Sequence, residues 1–147
     1  RTPQYATIAA PHRSVAFETV LVCDDDDSVR KLLLDILEFR AYNLLECRNA
    51  QHALEVAQQH SGPIHLLITD IVMPGLSGVE LASQLRTTHP ELEVLYLSGY
   101  PEQAAVLSVP QDRRSRFLAK PFLPGDLTTA VFSLLDSSEA EADDSPT

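Results

Sequence analysis

From Thr19 to Leu135, short apolar runs alternate with amphipathic stretches, and that rhythm admits few folds. Val20-Leu21-Val22-Cys23 is continuously apolar, as expected of a strand buried on both faces. Val29, Leu32, Leu33, Ile36 and Leu37 then repeat at helical spacing, with Ser28 the expected N-cap and Asp26 and Asp27 near the positive end of the helix dipole. Residues 43–47 read as a second strand and 50–60 as a second helix. Residues 64–69 form a third strand ending in Asp70, before the turn-rich Met73-Pro74-Gly75-Leu76-Ser77-Gly78. A helical pattern resumes over 79–88, and a fourth strand over 93–97 ends at Ser98-Gly99. Residues 101–108 make a short helix that Val109-Pro110 should stop. Residues 116–119 are the last strand, ending at Lys120-Pro121. Leu127, Val131, Leu134 and Leu135 mark a closing helix, in which Leu123 stands where a Ser, Thr or Asp cap is expected before Pro124. Five strands alternating with five helices imply an α/β fold with a doubly wound parallel sheet.

At 147 residues one domain is expected, long enough for a real core. The formal net charge of −10 argues against direct contact with nucleic acid, which needs basic patches. Residues 1–17 carry Pro3 and Pro11 without periodicity, as a linker or leader would, and residues 137–147 read as a disordered acidic tail. The domain proper is expected over 18–136. The start at Arg1 suggests a piece of a longer polypeptide. No apolar run approaches the roughly 18 residues of a membrane helix, and no signal peptide is seen, so membrane insertion is not expected. Cys23 and Cys47 sit in apolar runs without metal spacing and read as reduced, packed thiols. His12, His52, His60, His65 and His89 read as surface residues; Tyr96 and Tyr100 read as packing or partner-contact residues.

The chemistry lies at strand ends. Asp24 to Asp27 are four consecutive carboxylates after a buried strand, and like charges held close repel unless a cation joins them. In a doubly wound sheet, ligands bind beyond the carboxyl ends of the strands. Asp24 and Asp25 follow the first strand, Asp70 the third, Ser98 the fourth and Lys120 the fifth. Converging carboxylates favour a hard cation such as Mg²⁺, a lysine neutralises a phosphoryl group, and a hydroxyl donates to a phosphoryl oxygen. Together they form an inventory for phosphoryl transfer.

Four motifs in order and spacing carry a resemblance: Val-Leu-Val-Cys-Asp24-Asp25-Asp26, Leu-Ile-Thr-Asp70-Ile-Val-Met-Pro-Gly-Leu-Ser-Gly78, Leu-Ser98-Gly, and Ala-Lys120-Pro-Phe. Over residues 18–136 the chain resembles the receiver domains of bacterial two-component response regulators, and in Leu97-Ser98-Gly99-Tyr100 and Lys120-Pro121-Phe122 it most resembles those attached to hybrid sensor histidine kinases. The resemblance implies a flavodoxin-like sheet with strand order 2-1-3-4-5. It implies that Asp70 accepts a phosphoryl group from a phosphohistidine of a sensor kinase or phosphotransfer domain, which the same polypeptide can carry. It implies Mg²⁺ held by Asp25, Asp70 and the backbone carbonyl of Val72, with Asp24 acting largely through water. Ser98 and Lys120 would hold phosphoryl oxygens. Phe117, three residues before the lysine, would swing with Ser98 as a switch, without the hydroxyl of the tyrosine often found there. A homodimer through the fourth-helix and fifth-strand face is a further expectation, as is a cytoplasmic location or the cytoplasmic side of a membrane-bound kinase. Autodephosphorylation is expected rather than turnover of a separate substrate.

Two other readings stay open. Asp24-x-Asp26-x-Ser28 after a strand imitates the nucleophile motif of haloacid-dehalogenase-type phosphatases, with Ser98 and Lys120 as later motifs. That reading leaves Asp70 unexplained. A degenerate receiver that only binds partners is the other.

Overall fold

The computed structural model describes residues 17–99 and 113–144, with side chains as far as 136. Nine elements follow the expected alternation: β1 (Thr19–Cys23), α1 (Asp27–Leu37), β2 (Asn43–Cys47), α2 (Ala50–Gln59), β3 (Leu66–Asp70), α3 (Gly78–Leu85), β4 (Glu93–Ser98), β5 (Ser115–Ala119) and α4 (Pro124–Asp144). The strands pair in parallel in the order β2-β1-β3-β4-β5. Four helices lie among the described residues. The short helix expected over 101–108, the face it would form with β5, and Tyr100 and His12 fall outside them.

The period of two along each strand sorts side chains onto the two faces of the sheet. Leu21, Cys23, Leu67, Val94 and Tyr96 pack against α2 and α3. Val20, Val22, Leu66, Ile68, Leu95 and Leu97 pack against α1 and α4. β1, β3 and β4 are therefore apolar on both sides, and each fully buried leucine contributes about 1.5–3 kcal/mol. Cys23 and Cys47 are buried free thiols.

Local chemistry sets the helix starts. The N-cap of α1 is Asp26, not Ser28: the Asp26 carboxylate accepts from the N–H groups of Ser28 (2.9 Å) and Val29 (3.2 Å). Both residues cap well, but the chain turns immediately after Asp24, so the helix begins one step ahead of Ser28. Asn49 caps α2, and Ser77 with Glu80 forms a capping box on α3. At α4, Asp126 at the third helical position accepts from the Leu123 N–H (3.3 Å), the return half of a capping box whose other half a leucine side chain cannot make. The α4 backbone is helical as far as Asp144, beyond the end expected at 136. Alternating Ala and Glu over 139–142 are good helix formers, which is why the segment extends the helix. Leu32, expected on the core face of α1, is 45% exposed.

His65 departs from the surface position expected of it. It is half-buried, and its Nδ1 accepts from the Thr19 N–H (2.9 Å) while its own N–H donates to the Thr19 carbonyl. Its carbonyl accepts from the Glu93 N–H, so it closes the amino-terminal edge of β1, β3 and β4. Among the described residues, no helix is long and apolar enough to cross a membrane.

Candidate metal and phosphoryl site

Neighbours β2 and β3 lie on opposite sides of β1, so the carboxyl end of β1 is where the winding reverses and a crevice opens. Asp24 and Asp25 leave β1 there, and Asp70 ends β3 beside them. One carboxylate oxygen from each of Asp24, Asp25 and Asp70 lies within 4.8 Å of the others. Lys120, one residue past β5, reaches across: its Nζ donates to Asp24 Oδ2 (3.1 Å) and to Asp70 Oδ2 (3.2 Å). The Lys120–Pro121 peptide bond is cis.

Asp24 is fully buried and held at every polar atom. Its N–H donates to the Cys47 carbonyl (3.3 Å), its carbonyl accepts from Arg30, its Oδ1 accepts from the Asp26 N–H (2.9 Å), and Oδ2 pairs with Lys120. Asp25 is exposed. Asp70 is mostly buried, and its Oδ1 accepts a long hydrogen bond from the Val72 N–H (3.4 Å).

Burial pushes the Asp70 carboxyl above the usual carboxylate range; the charge of Asp24 adds to this, and the pull of Lys120 does not overcome it. For Lys120, burial works to lower the ammonium, but Asp24 and Asp70 together outweigh it and hold the group higher than usual. The two shifts differ in origin: burial dominates at Asp70, whereas at Lys120 the pull of two carboxylates on one ammonium prevails, and that sharing leaves surplus negative charge beside the exposed Asp25. An all-oxygen donor set of few carboxylates, open to water on the Asp25 side, suits Mg²⁺.

Of the remaining candidates, Ser98 is buried at the same sheet edge, and its carbonyl accepts from the Lys120 N–H (2.8 Å), tying β4 to the lysine. The Val72 side chain is exposed beside the crevice. Phe117 pairs in register with Tyr96 and packs, half-buried, against the core under α2 and α3 rather than in the acidic cluster. Asp26 and Asp27 are outside the cluster: Asp26 caps α1, and Asp27 pairs with Arg30. An Asp26 carboxylate aimed at the helix is poorly placed to act as the second aspartate of a phosphatase motif.

Sequence reasoning missed two contributors. Arg30 is only 7% exposed and binds the Asp24 carbonyl, Asp27 and Glu46. A charged residue in the i, i+3, i+7 stripe with Leu33 and Leu37 was the available signal. Gly78 is the second: a Cβ there would lie 2.2 Å from the Asp70 carbonyl oxygen. Only the folded loop reveals that approach.

A parallel five-stranded sheet with three acidic groups and a lysine at its carboxyl edge is the build of a two-component receiver. The response regulator receiver domain family matches residues 20–132, and this chain belongs to it. The sensor kinase CckA of Brucella abortus (strain 2308) is 35% identical over 121 residues, which make up 82% of this chain but 13% of the kinase. The response regulator receiver protein CpdR of the same organism is 32% identical over 116 residues, 79% of this chain and 95% of CpdR. The solved receiver domain of the hybrid histidine kinase CckA is similar with a TM-score of 0.68 at 31% identity, covering 80% of this chain and 98% of that domain.

Proposed function

We propose that this receiver takes a phosphoryl group onto Asp70 from the phosphohistidine of a sensor kinase or phosphotransfer domain, with Mg²⁺ as cofactor. The observation that carries this reading is the shared lysine beside the acidic cluster: its Nζ lies 3.2 Å from Asp70 Oδ2, and one carboxylate oxygen from each of Asp24, Asp25 and Asp70 lies within 4.8 Å of the other two. Asp70 Oδ attacks phosphorus, the P–N bond breaks, and the imidazole keeps the bonding pair. Lys120 leaves its carboxylate partners to meet the incoming phosphoryl oxygens, and Ser98 donates to one of them. Asp24, Asp25, Asp70 and the Val72 carbonyl would hold Mg²⁺, which supplies charge neutralisation for the crowded oxygens. Water later attacks phosphorus and restores the carboxylate.

Movement of Ser98 toward the phosphoryl group draws Phe117 inward and shifts a two-state equilibrium toward the output-competent form. The functional module spans 18–136. The similarity to a receiver within a sensor kinase supports a place in a hybrid kinase, and the similarity to CpdR supports a free-standing receiver; the Leu97-Ser98-Gly99-Tyr100 and Lys120-Pro121-Phe122 segments favour the former.

Incubation with Mg²⁺ and acetyl phosphate, read by intact mass, should add one phosphoryl group, and Asp70→Asn should abolish it. No addition to the wild type, or addition that survives Asp70→Asn, overturns the proposal. Sustained turnover of small phosphomonoesters would favour the phosphatase reading instead.

A further inference from the structure

Arg30 is a cation buried at the edge of a site that itself calls for a cation. Its guanidinium forks three ways: Nη1 donates to the Asp24 carbonyl (2.8 Å), Nε to Glu46 Oε2 (2.8 Å) and Nη2 to Asp27 Oδ1. It therefore joins the end of β1, the edge strand β2 and the first turn of α1. The Asp24 carbonyl belongs to the peptide plane linking Asp24 to Asp25. Holding that oxygen sets the direction in which the chain leaves β1, and so where Asp25 stands.

Asp25 has little else to place it. It is exposed, and no described residue hydrogen-bonds its carboxylate, whereas Asp24 is held at all four polar atoms. We propose that Arg30 is a positioning residue for the metal cradle, aiming Asp25 at the site through the Asp24 carbonyl. The inference rests on the Mg²⁺ reading above and adds to it the group that orients its most exposed ligand.

The sign of the effect separates this role from simple electrostatics. Removing a positive charge beside an acidic pocket should, by Coulomb's law alone, tighten Mg²⁺ binding. Loss of a positioning contact should weaken it, and removing partners that orient metal ligands typically costs about 10-fold or more in affinity. Lysine keeps the charge, but its three donors radiate from a single nitrogen, so it cannot span the Asp24 carbonyl, Glu46 and Asp27 as the three guanidinium nitrogens do.

Titration calorimetry with Mg²⁺ at fixed ionic strength, on folded wild type, Arg30→Met, Arg30→Lys and Glu46→Gln, tests this. Both Arg30 variants are expected to bind Mg²⁺ about 10-fold more weakly. Glu46→Gln leaves the Asp24 contact in place and should stay within about twofold of wild type, as befits a half-exposed partner. If Arg30→Met is too unstable to study, Arg30→Lys carries the test. Mg²⁺ binding by Arg30→Lys as tight as wild type, or by Arg30→Met as tight or tighter, overturns the positioning role. A wild type that does not bind Mg²⁺ overturns the cradle itself, and the inference with it.

Discussion

Replacing Gly78 by alanine should damage both the fold and the site, although helix propensity argues for the opposite. Gly78 is the first residue of α3, and alanine in a helix is worth up to about 1 kcal/mol over glycine. An added Cβ, however, would meet the Asp70 carbonyl oxygen at 2.2 Å and Thr69 Cγ2 at 3.0 Å. The first contact must open by about 1 Å to reach van der Waals range. Neither side yields easily. The Asp70 carbonyl accepts from Thr69 Oγ1 (2.9 Å), and the Gly78 N–H donates to the Ile71 carbonyl (2.8 Å). Overpacking of this kind costs about 1–3 kcal/mol, and a weakened backbone hydrogen bond about 1 kcal/mol more. Set against the helix gain, the net loss is about 1–3 kcal/mol in urea denaturation. Because the displaced backbone carries Asp70, labelling by acetyl phosphate should slow by up to about 100-fold. Gly125 is the control: it lies in α4 with nothing within 4 Å of its Cβ position, so Gly125→Ala should be neutral or mildly stabilising. A Gly78→Ala protein as stable as wild type and labelled at the same rate would refute the reasoning.

Three further outcomes follow from the same geometry. Asp26→Ala should lower stability by about 1 kcal/mol through loss of the α1 cap while Mg²⁺ affinity holds, whereas Asp25→Asn should weaken Mg²⁺ binding with little change in stability; equal effects of the two on calorimetric Mg²⁺ affinity would contradict the division of the acidic run. Lys120→Met leaves Asp24 and Asp70 without their shared cation, a loss of about 3–5 kcal/mol in EDTA that saturating Mg²⁺ should partly restore; a stability gap that is the same in both buffers argues against a common site. Burial is the main force pushing the Cys23 and Cys47 thiols from 9.0 up to about 12, helped at Cys23 by its neighbour Cys47 and at Cys47 by Glu46. Above pH 9 the unfolded chain therefore loses thiol protons that the folded chain keeps, so stability falls as pH climbs from 9 toward 12, by up to about 1.4 kcal/mol per pH unit for each thiol; the slope of unfolding midpoint against pH should flatten in the double Cys→Ala protein.

The strands were legible because each carries a short apolar run, buried on both faces in β1, β3 and β4, and because in β1, β3, β4 and β5 that run gives way to a polar residue at the carboxyl edge of the sheet. Asp24, Asp25, Asp70 and Lys120 could be found by asking only what stands at those ends. What escaped depends on distances between chain segments far apart in sequence. Gly78 reads as an ordinary turn glycine until the Asp70 carbonyl is beside it. Arg30 reads as a helix charge until its face turns inward with Leu33 and Leu37. Ser28 and Asp26 are equally good caps on paper, and only the turn after Asp24 selects between them.

The same dependence explains how four adjacent aspartates can end a buried strand at all. Asp24 lies under Lys120, Asp26 accepts from the N–H groups at the start of α1, and Asp27 faces Arg30. Each of these carboxylates meets a positive group or a helix dipole within the protein. Asp25 is left facing the crevice, beside an Asp70 whose cation among the described residues, Lys120, is shared with Asp24. The unbalanced charge is thus confined to one point, the carboxyl end of β1 against β3, where a divalent ion would be bound between Asp25 and Asp70. An acidic run that looks uniform in sequence is, in the fold, three neutralised groups that steady a fourth.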